Sequence, residues 1–208
     1  MRVIGLTGGM AAGKSTVAGY FRRFSVPVFD ADLCVRSLQG PYGKALPLLE
    51  KEFPGIVRDH HLDRAALRSH LLEHPRDLKK LEAIMHPLVK RERRAFIRSC
   101  RRQGRKFCVL DIPLLWETGA DRDCDAVLVV HAPLRTRLAR LEARFAKEGK
   151  MSVRTARQLM KRQLPEEVKC RRADFVIRTG LSRFNALRQV VPLDKQFQAS
   201  RLHGSGKV

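Results

Sequence analysis

The chain has 208 residues, 44% of them hydrophobic, and can therefore bury the core of one domain with an inserted subdomain. Its formal net charge of +21 predicts attraction to phosphate-rich ligands or polyanions. Five cysteines without Cys-x-x-Cys spacing argue against a disulfide framework or a structural zinc site, and no apolar run reaches the roughly 18 residues of a membrane-spanning helix. We therefore expect a cytoplasmic protein with reduced thiols.

The first predicted elements are a short buried strand at residues 3–6, a glycine-rich loop at residues 8–15 and a helix. The loop reads Gly-Gly-Met-Ala-Ala-Gly-Lys-Ser and fits the phosphate-binding pattern G-x-x-x-x-G-K-[ST]. In such a loop successive backbone N–H groups face the phosphates, and the helix start adds partial positive charge. The pattern predicts that Lys14 reaches the β and γ phosphates of a nucleoside triphosphate and that the Ser15 hydroxyl ligates Mg²⁺.

Four further segments predict buried strands, because they are short, apolar on both faces and rich in Val and Ile. They are residues 26–29, 107–110, 126–130 and 175–177. Enough chain for a helical crossover separates each from the next, so the pattern predicts a parallel α/β sheet of about five strands. Ligands collect at the carboxyl ends of such strands. The polar residues found there are Asp30, Asp32, Asp111 and His131.

The stretch between the second and third predicted strands is far longer than one crossover needs. We therefore expect a helical insertion over residues 33–104, between the two parts of a core at residues 1–32 and 105–192. Apolar periodicity is lost near the end of the chain, which predicts a flexible tail over residues 193–208.

A phosphate loop alone leaves several enzyme classes open. The chain has no N-K-x-D segment with which a GTPase reads guanine, and a helicase or motor would be longer. A small-molecule kinase needs a carboxylate near the γ-phosphate to orient the acceptor hydroxyl and take its proton. Asp32 fits that role, and an extended backbone there would point Asp30 and Asp32 to the same side. Capping of the following helix is the alternative role for both aspartates.

At its motifs the chain resembles the dephospho-coenzyme A kinase family. The shared blocks are the phosphate loop with Leu6-Thr7 before it and Thr16 after it, Phe29-Asp30-Ala31-Asp32, His86-Pro87-Leu88, Asp111-Ile112-Pro113-Leu114-Leu115-Trp116-Glu117, and residues 137–144, 163–169 and 173–177. The blocks keep the family's order over residues 1–190. Although the phosphate loop is shared by many families, the combination of D-A-D, H-P, P-L-L-x-E and Q-x-P-x-E-x-K is highly specific.

The resemblance implies ATP-dependent phosphorylation of the ribose 3′-hydroxyl of dephospho-coenzyme A, the last step of coenzyme A synthesis. It implies ATP as phosphoryl donor, Mg²⁺ as cofactor, and ATP and dephospho-coenzyme A as the small-molecule partners. The implied architecture is a three-layer P-loop NTPase fold with a parallel five-stranded sheet, an inserted helical substrate domain and a helical lid. Residues 1–32 and 105–192 correspond to the nucleotide-binding core, with the lid at about 141–162 within it, and residues 33–104 correspond to the substrate-binding insertion.

Site residues follow from the same resemblance, motif by motif. Asp32 corresponds to the general base, and Lys14 and Arg140 correspond to the groups that stabilise the transferring phosphoryl group. The ATP-binding positions are Gly9, Ala11, Ala12, Gly13, Lys14, Ser15, Thr16 and Arg144. The acceptor-binding positions are Asp32, His86, Pro113, Leu114, Leu115 and Glu117. Metal contacts are expected from Ser15 and, through water, from Asp111.

Two site features keep an alternative interpretation at this point. His86 precedes a proline, so it could instead mark the end of a helix. The chain has Arg178-Thr179-Gly180 where the family often has an Asp-Asn pair, so no residue is assigned to the adenine.

Two other functions stay open from the sequence. One is a nucleoside or nucleotide kinase of the same fold, and the other is a basic nucleic-acid-binding protein. Aromatic residues make up only 6% of the chain and groove-reading motifs are sparse, so we expect no specific nucleic-acid partner. We also expect no membrane partner, and the sequence favours a monomer. The positive charge exceeds what two phosphate-rich substrates require.

Overall fold

Residues 1–148 and 163–199 are described by the structure, a computed structural model. The chain divides into two compact units, one formed by Met1–Phe29 with Ser99–Val208 and the other by Asp30–Arg98. Much of the predicted lid, at 149–162, and most of the predicted tail, at 200–208, lie outside the described residues.

The described residues form strands and helices of both units. In order they are β1 (Arg2–Gly8), α1 (Lys14–Arg23), β2 (Val28–Asp30), α2 (Ala31–Leu38), α3 (Leu46–Glu52), β3 (Val57–Arg58), β4 (His61–Leu62), α4 (Arg64–Glu73), α5 (Leu78–Arg102), β5 (Phe107–Asp111), β6 (Ala126–His131), α6 (Leu134–Glu148), α7 (Glu166–Arg172), β7 (Phe175–Arg178) and α8 (Arg183–Gln198). Short 3-10 helices lie at Pro75–Asp77 and Ala120–Asp123.

The first unit is built on a five-stranded sheet of order β2-β5-β1-β6-β7. Strand β1 pairs in parallel with β5 and β6, and β6 pairs in parallel with β7. The predicted parallel α/β sheet is therefore confirmed. Ile4, Leu6, Leu128, Val130 and Ile177 are fully buried in its core, because a sheet covered on both faces needs apolar side chains on both.

The second unit has its own apolar core. Its buried members are Leu38, Ala45, Leu49, Phe53, Ile56, Leu67 and Met85. Asp63 begins α4 by accepting hydrogen bonds from the N–H groups of Ala65 and Ala66. The antiparallel pair β3–β4 was not predicted, since two-residue strands have too few positions to show an alternating pattern.

Helix α5 runs without interruption through Pro87, so the idea that His86 and Pro87 end a helix is wrong. His86 and Pro87 lie on the exposed side of the helix, whereas Met85 is buried and Leu88 packs against the apolar core. Proline removes one backbone hydrogen bond, and water can satisfy the carbonyl that loses its donor when it faces outward.

The predicted flexible tail begins too early, because α8 continues to Gln198. The Phe197 ring lies edge-on against Phe107 and Phe175, with ring centroids 5.4 and 5.2 Å apart, and it is buried in the core of the first unit. These aromatic contacts hold residues 193–198 in the helix. No described helix is both long and apolar enough to cross a membrane.

Candidate active site

The phosphate loop connects β1 to α1 and folds tightly on itself. The Ala12 N–H donates to the Gly9 carbonyl at 3.0 Å, and Gly13 has a left-handed backbone with φ of 97°. Ala11 is also left-handed, with φ of 59°, a conformation that costs a residue with a Cβ about 1 kcal/mol. The first turn of α1 holds no acidic residue, so its partial positive charge is available to an anion.

Lys14 pairs with Asp111 in this structure. The Lys14 Nζ and Asp111 Oδ1 atoms are 2.5 Å apart, and the two side chains are 15% and 4% exposed. The register of β1 and β5 places Leu6 beside Asp111, which brings the carboxyl end of β5 next to the loop. The sequence predicted separate contacts for these residues, one to phosphate and one to metal, and did not predict the ion pair.

Arg140 on α6 lies against both the loop and the end of β7. Its Nη1 donates to the Ala11 carbonyl at 3.2 Å and to Thr179 Oγ1 at 3.3 Å, while Nη2 donates to the Thr179 carbonyl at 2.5 Å. The Thr179 hydroxyl in turn donates to the Ala12 carbonyl. The planar guanidinium therefore joins the loop to the residue that follows β7. Sequence reasoning missed Thr179, although its position after a parallel strand was a usable signal.

A second arginine of α6, Arg137, holds the opposite side of the loop. Its Nε donates to the Met10 carbonyl at 2.8 Å, and the Met10 N–H donates to Gln163 Oε1 at 3.3 Å. A Cβ on Gly9 would clash with Glu166 Oε1 and with Arg137 Nη2. A larger residue at position 9 would therefore displace the ends of these two side chains.

The turn after β5 is tied to β1 and to the segment before α7. The Thr7 hydroxyl donates to the Pro113 carbonyl at 3.0 Å. Glu117 Oε1 accepts a hydrogen bond from the Leu164 N–H at 2.9 Å and lies 4.0 Å from Lys169 Nζ. These contacts fix the turn that the sequence assigned to the acceptor.

The two leucines of this turn differ in exposure. Leu114 is 39% exposed, whereas Leu115 is fully buried, beside Gly5. The assignment of Leu115 to the acceptor is therefore corrected, because its side chain packs in the core and offers no surface to a ligand.

The aspartates after β2 have distinct local roles. Asp30 caps α2, since its carboxylate accepts from the Leu33 N–H at 2.9 Å, and the helix starts at Ala31. The expectation of an extended backbone that aligns Asp30 with Asp32 is therefore wrong. Asp32 lies exposed in the first helical turn of α2.

The other predicted positions are mostly exposed. Ser15 in the first turn of α1, Arg144 on α6 and His86 on α5 are open to solvent. Within residues 1–148 and 163–199, no group of three or more His, Cys, Asp or Glu side chains could hold a metal ion. The residues present fit a Mg²⁺ ion bound through a serine hydroxyl and nucleotide phosphates, which is how this ion is usually held in nucleotide sites.

Two cavities lie near the carboxyl end of β7 in the first unit. One of about 240 Å³ is lined by Gly13, Thr16, Arg140, Thr179, Ser182 and Arg183. The other, of about 720 Å³, is lined by His131, Pro133, Arg178, Leu181, Arg188 and Gln189. The smaller cavity adjoins the start of α1, so a nucleoside attached to loop-bound phosphates can enter it.

Known proteins are similar to this chain in sequence and in fold. A sequence profile of the family described as dephospho-CoA kinase (CoaE) matches residues 2–182. The dephospho-CoA kinase of Gluconobacter oxydans is 60% identical over 190 residues, which are 91% of this chain and 94% of that protein. The crystal structure of TT1252 from Thermus thermophilus superposes with a TM-score of 0.78 at 32% identity, covering 96% of this chain and 98% of the other.

A more distant structure shares the fold. The dephospho-CoA kinase from Campylobacter jejuni gives a TM-score of 0.70 at 21% identity, covering 94% of this chain and 96% of the other.

Proposed function

Because the chain belongs to the dephospho-CoA kinase family, we propose that it transfers the γ-phosphoryl group of ATP to the ribose 3′-hydroxyl of dephospho-coenzyme A. It is an ATP-dependent kinase of coenzyme A biosynthesis. The observation that carries the assignment is the family match over residues 2–182 on a chain whose phosphate loop has the required geometry. Two anionic substrates also agree with the positive charge of the chain.

Lys14 and Arg140 are the groups that stabilise the transferring phosphoryl group in this proposal. The Lys14 ammonium, held by Asp111 in the structure, turns to the β and γ phosphates when ATP occupies the loop. Arg140 already lies against the loop and can direct its planar fork at phosphate oxygens. Arg144, one turn further along α6, adds positive charge on the ATP side.

Magnesium would be bound by the Ser15 hydroxyl, with Asp111 contributing through water. The ion would neutralise part of the negative charge of the phosphates. Asp111 supports this role because its carboxylate lies at the carboxyl end of β5, beside the phosphate loop. The remaining phosphate contacts would come from backbone N–H groups of the loop and of the start of α1; those of Met10 and Ala12 instead donate to Gln163 and Gly9 in this structure.

Asp32 is the proposed general base. Its carboxylate accepts the proton of the 3′-hydroxyl as that oxygen bonds to the γ-phosphorus and the bond to the β–γ bridging oxygen of ATP breaks. The support is the D-A-D motif and its position directly after β2. Asp30 is not a candidate, because its carboxylate is engaged as the cap of α2.

The nucleoside of ATP is proposed to enter the cavity between Gly13, Arg140 and Thr179. His86, Pro113, Leu114 and Glu117 are proposed for the acceptor side on the basis of their motifs. Monomeric state and cytoplasmic location are predictions from the sequence.

An acceptor panel tests the function. Purified protein is incubated with ATP and Mg²⁺ and either dephospho-coenzyme A or a set of nucleosides and nucleotides, and the products are identified by mass. We expect phosphorylation of dephospho-coenzyme A at its ribose, with much lower kcat/KM for every other acceptor. The variant Lys14→Ala, purified in parallel, controls for contaminating kinases. Preference for a nucleoside would refute the proposed substrate.

A further inference from the structure

Ionisable side chains form a cluster beside the phosphate loop, with exposed side-chain fractions between 0% and 24%. We define the charged cluster as Glu117, His131, Arg137, Glu166 and Lys169. Glu166 Oε1 is 3.6 Å from Arg137 Nη1, and Glu166 Oε2 is 3.4 Å from His131 Nδ1. Lys169 is fully buried, and its Nζ lies 4.0 Å from Glu117 Oε1. Two cations and two carboxylates therefore balance each other inside the first unit.

The charged cluster is poorly hydrogen-bonded for its depth. Four buried side-chain polar atoms have no hydrogen-bond partner among the described residues, and three of them are His131 Nδ1, Glu166 Oε2 and Lys169 Nζ. Burial lowers the pKa of Lys169, while the charges of Glu117 and Glu166 oppose that shift. Buried charges of this kind add little net stability compared with apolar residues of similar volume. A contribution to folding therefore does not account for the cluster.

On one side, the charged cluster contacts the backbone of the phosphate loop. Arg137, whose own side chain is 5% exposed, donates to the Met10 carbonyl and faces Glu166. Arg137 and Glu166 also leave no space for a Cβ at Gly9. The position of the Gly9–Met10 peptide thus depends on where the Arg137–Glu166 pair is held.

The other side of the charged cluster holds the turn after β5. Lys169 faces Glu117, and Glu117 also accepts the Leu164 N–H. Lys169 lies in the same seven-residue helix as Glu166, three positions further along the chain. Residues three positions apart share one face of a helix, so the Lys169 and Glu166 side chains lie on the same side of α7, and the Glu166 charge opposes the lowering of the Lys169 pKa by burial.

We propose that Lys169, acting through Glu166 and Arg137, is a positioning residue for phosphoryl transfer. It fixes the position of the Gly9–Met10 peptide of the phosphate loop relative to the turn after β5 that contains Glu117. The proposal rests on the kinase function given above. Neither Lys169 nor Glu166 has to touch a substrate. Glu117 is in this view an internal partner of Lys169, which revises its proposed contact with the acceptor.

Two single variants test the proposal, each with a matched control. Glu166→Gln keeps the side-chain volume and weakens the pairing with Arg137, and Lys169→Met removes the buried charge. We expect both to lower kcat about tenfold or more and to weaken ATP binding, because small displacements of a phosphate cradle are costly. The controls Glu167→Gln and Lys195→Met change exposed residues on α7 and α8 and should behave as the wild type.

A double variant separates positioning from folding. Lys169→Met/Glu117→Gln restores the charge balance, so its unfolding midpoint should recover relative to Lys169→Met while kcat stays low. Recovery of both quantities would show that Lys169 only balances charge, and would overturn the proposal. If Lys169→Met does not fold, the Glu166→Gln variant tests the proposal alone. A wild-type kcat and ATP affinity in Glu166→Gln would refute the proposal.

The wild-type protein is assayed alongside with ATP and dephospho-coenzyme A. An inactive wild type would refute the proposed function, whereas an active wild type with unaffected variants would refute only the role of Lys169.

Discussion

The Lys14 ammonium lies 2.5 Å from a carboxylate oxygen of Asp111, and both side chains are largely withdrawn from water. In the proposed mechanism the same lysine binds the phosphates of ATP, so nucleotide binding and this ion pair compete for one charge. Asp111 thereby keeps Lys14 close to the loop before ATP arrives.

Lys14→Ala should weaken ATP binding and lower kcat by about two orders of magnitude or more, since the transferring group loses its nearest cation. It should also lower the free energy of unfolding by on the order of 2 kcal/mol, because the Asp111 carboxylate keeps its burial and loses that ammonium. Calorimetric titration with ATP and urea denaturation measure the two effects. Lys14→Ala/Asp111→Asn should regain stability without regaining activity; a double variant as unstable as the single one would contradict the account.

Asp32→Asn should bind ATP normally and lower kcat by about two orders of magnitude or more, because the amide cannot accept the hydroxyl proton. Steady-state kinetics with dephospho-coenzyme A measure the change in kcat. The matched control is Asp30→Asn, which preserves an oxygen for the Leu33 N–H and should keep kcat within about threefold of the wild type. Near-normal turnover of Asp32→Asn would remove Asp32 from the role of base.

Arg140→Lys should lower kcat about tenfold or more, because an ammonium cannot reproduce the fork that contacts Ala11 and Thr179. The comparison is Arg135→Lys on the exposed side of the same helix, for which we expect wild-type kinetics. Equal kcat in the two variants would show that the planar geometry of Arg140 is dispensable.

Two glycines near the loop should respond in opposite directions to alanine. A Cβ at Gly8 would lie 2.5 Å from the Val130 carbonyl oxygen, so Gly8→Ala should destabilise the protein by about 2 kcal/mol or more. Gly19 lies within α1, and a Cβ added there would have no atom within 4 Å, so Gly19→Ala should stabilise the protein by about 0.5–1 kcal/mol. Thermal and urea unfolding measure both changes, and a stable Gly8→Ala would contradict the packing of β1 against β6.

The second unit should lose stability in acid through Asp77. Hydrogen bonds from His70 and then Lys80 hold the pKa of the Asp77 carboxyl below its usual range. A lowered pKa in the folded state means that the stabilisation is complete above the unfolded pKa of about 4 and is lost as pH falls through the folded value. Urea denaturation at successive pH values should therefore show a smaller loss in acid for Asp77→Asn than for the wild type. Glu73→Gln, an exposed neighbour, should keep the wild-type profile.

The sequence was sufficient for the sheet and the loop. Fully buried parallel strands require apolar side chains on both faces, so the run from Ala126 to Val130 could be recognised without knowledge of its neighbours. The phosphate loop was recognisable because its glycines and Lys14 are set by local backbone geometry and ligand chemistry.

The sequence was not sufficient to predict features that depend on contacts between residues far apart in the chain. Thr179 follows a predicted strand, which marks it as a position to examine, but its contact with the loop spans 167 residues of sequence and has no local pattern. Lys169 was part of a recognised motif, yet its complete burial could not be seen in a segment rich in charges. Pro87 looked like a helix boundary, because the apolar packing that carries α5 past it comes from other helices.

The central strand of the sheet has a consequence for synthesis. β1 is translated about 100 residues before the partners it needs, since Arg2 pairs with Phe107 and Ile4 with Ala126. The contiguous unit Asp30–Arg98 can fold on the ribosome during that interval, while the phosphate loop has no sheet to anchor it. Because a ligand stabilises only the folded state that binds it, ATP can stabilise the loop only after β5 and β6 have been synthesised.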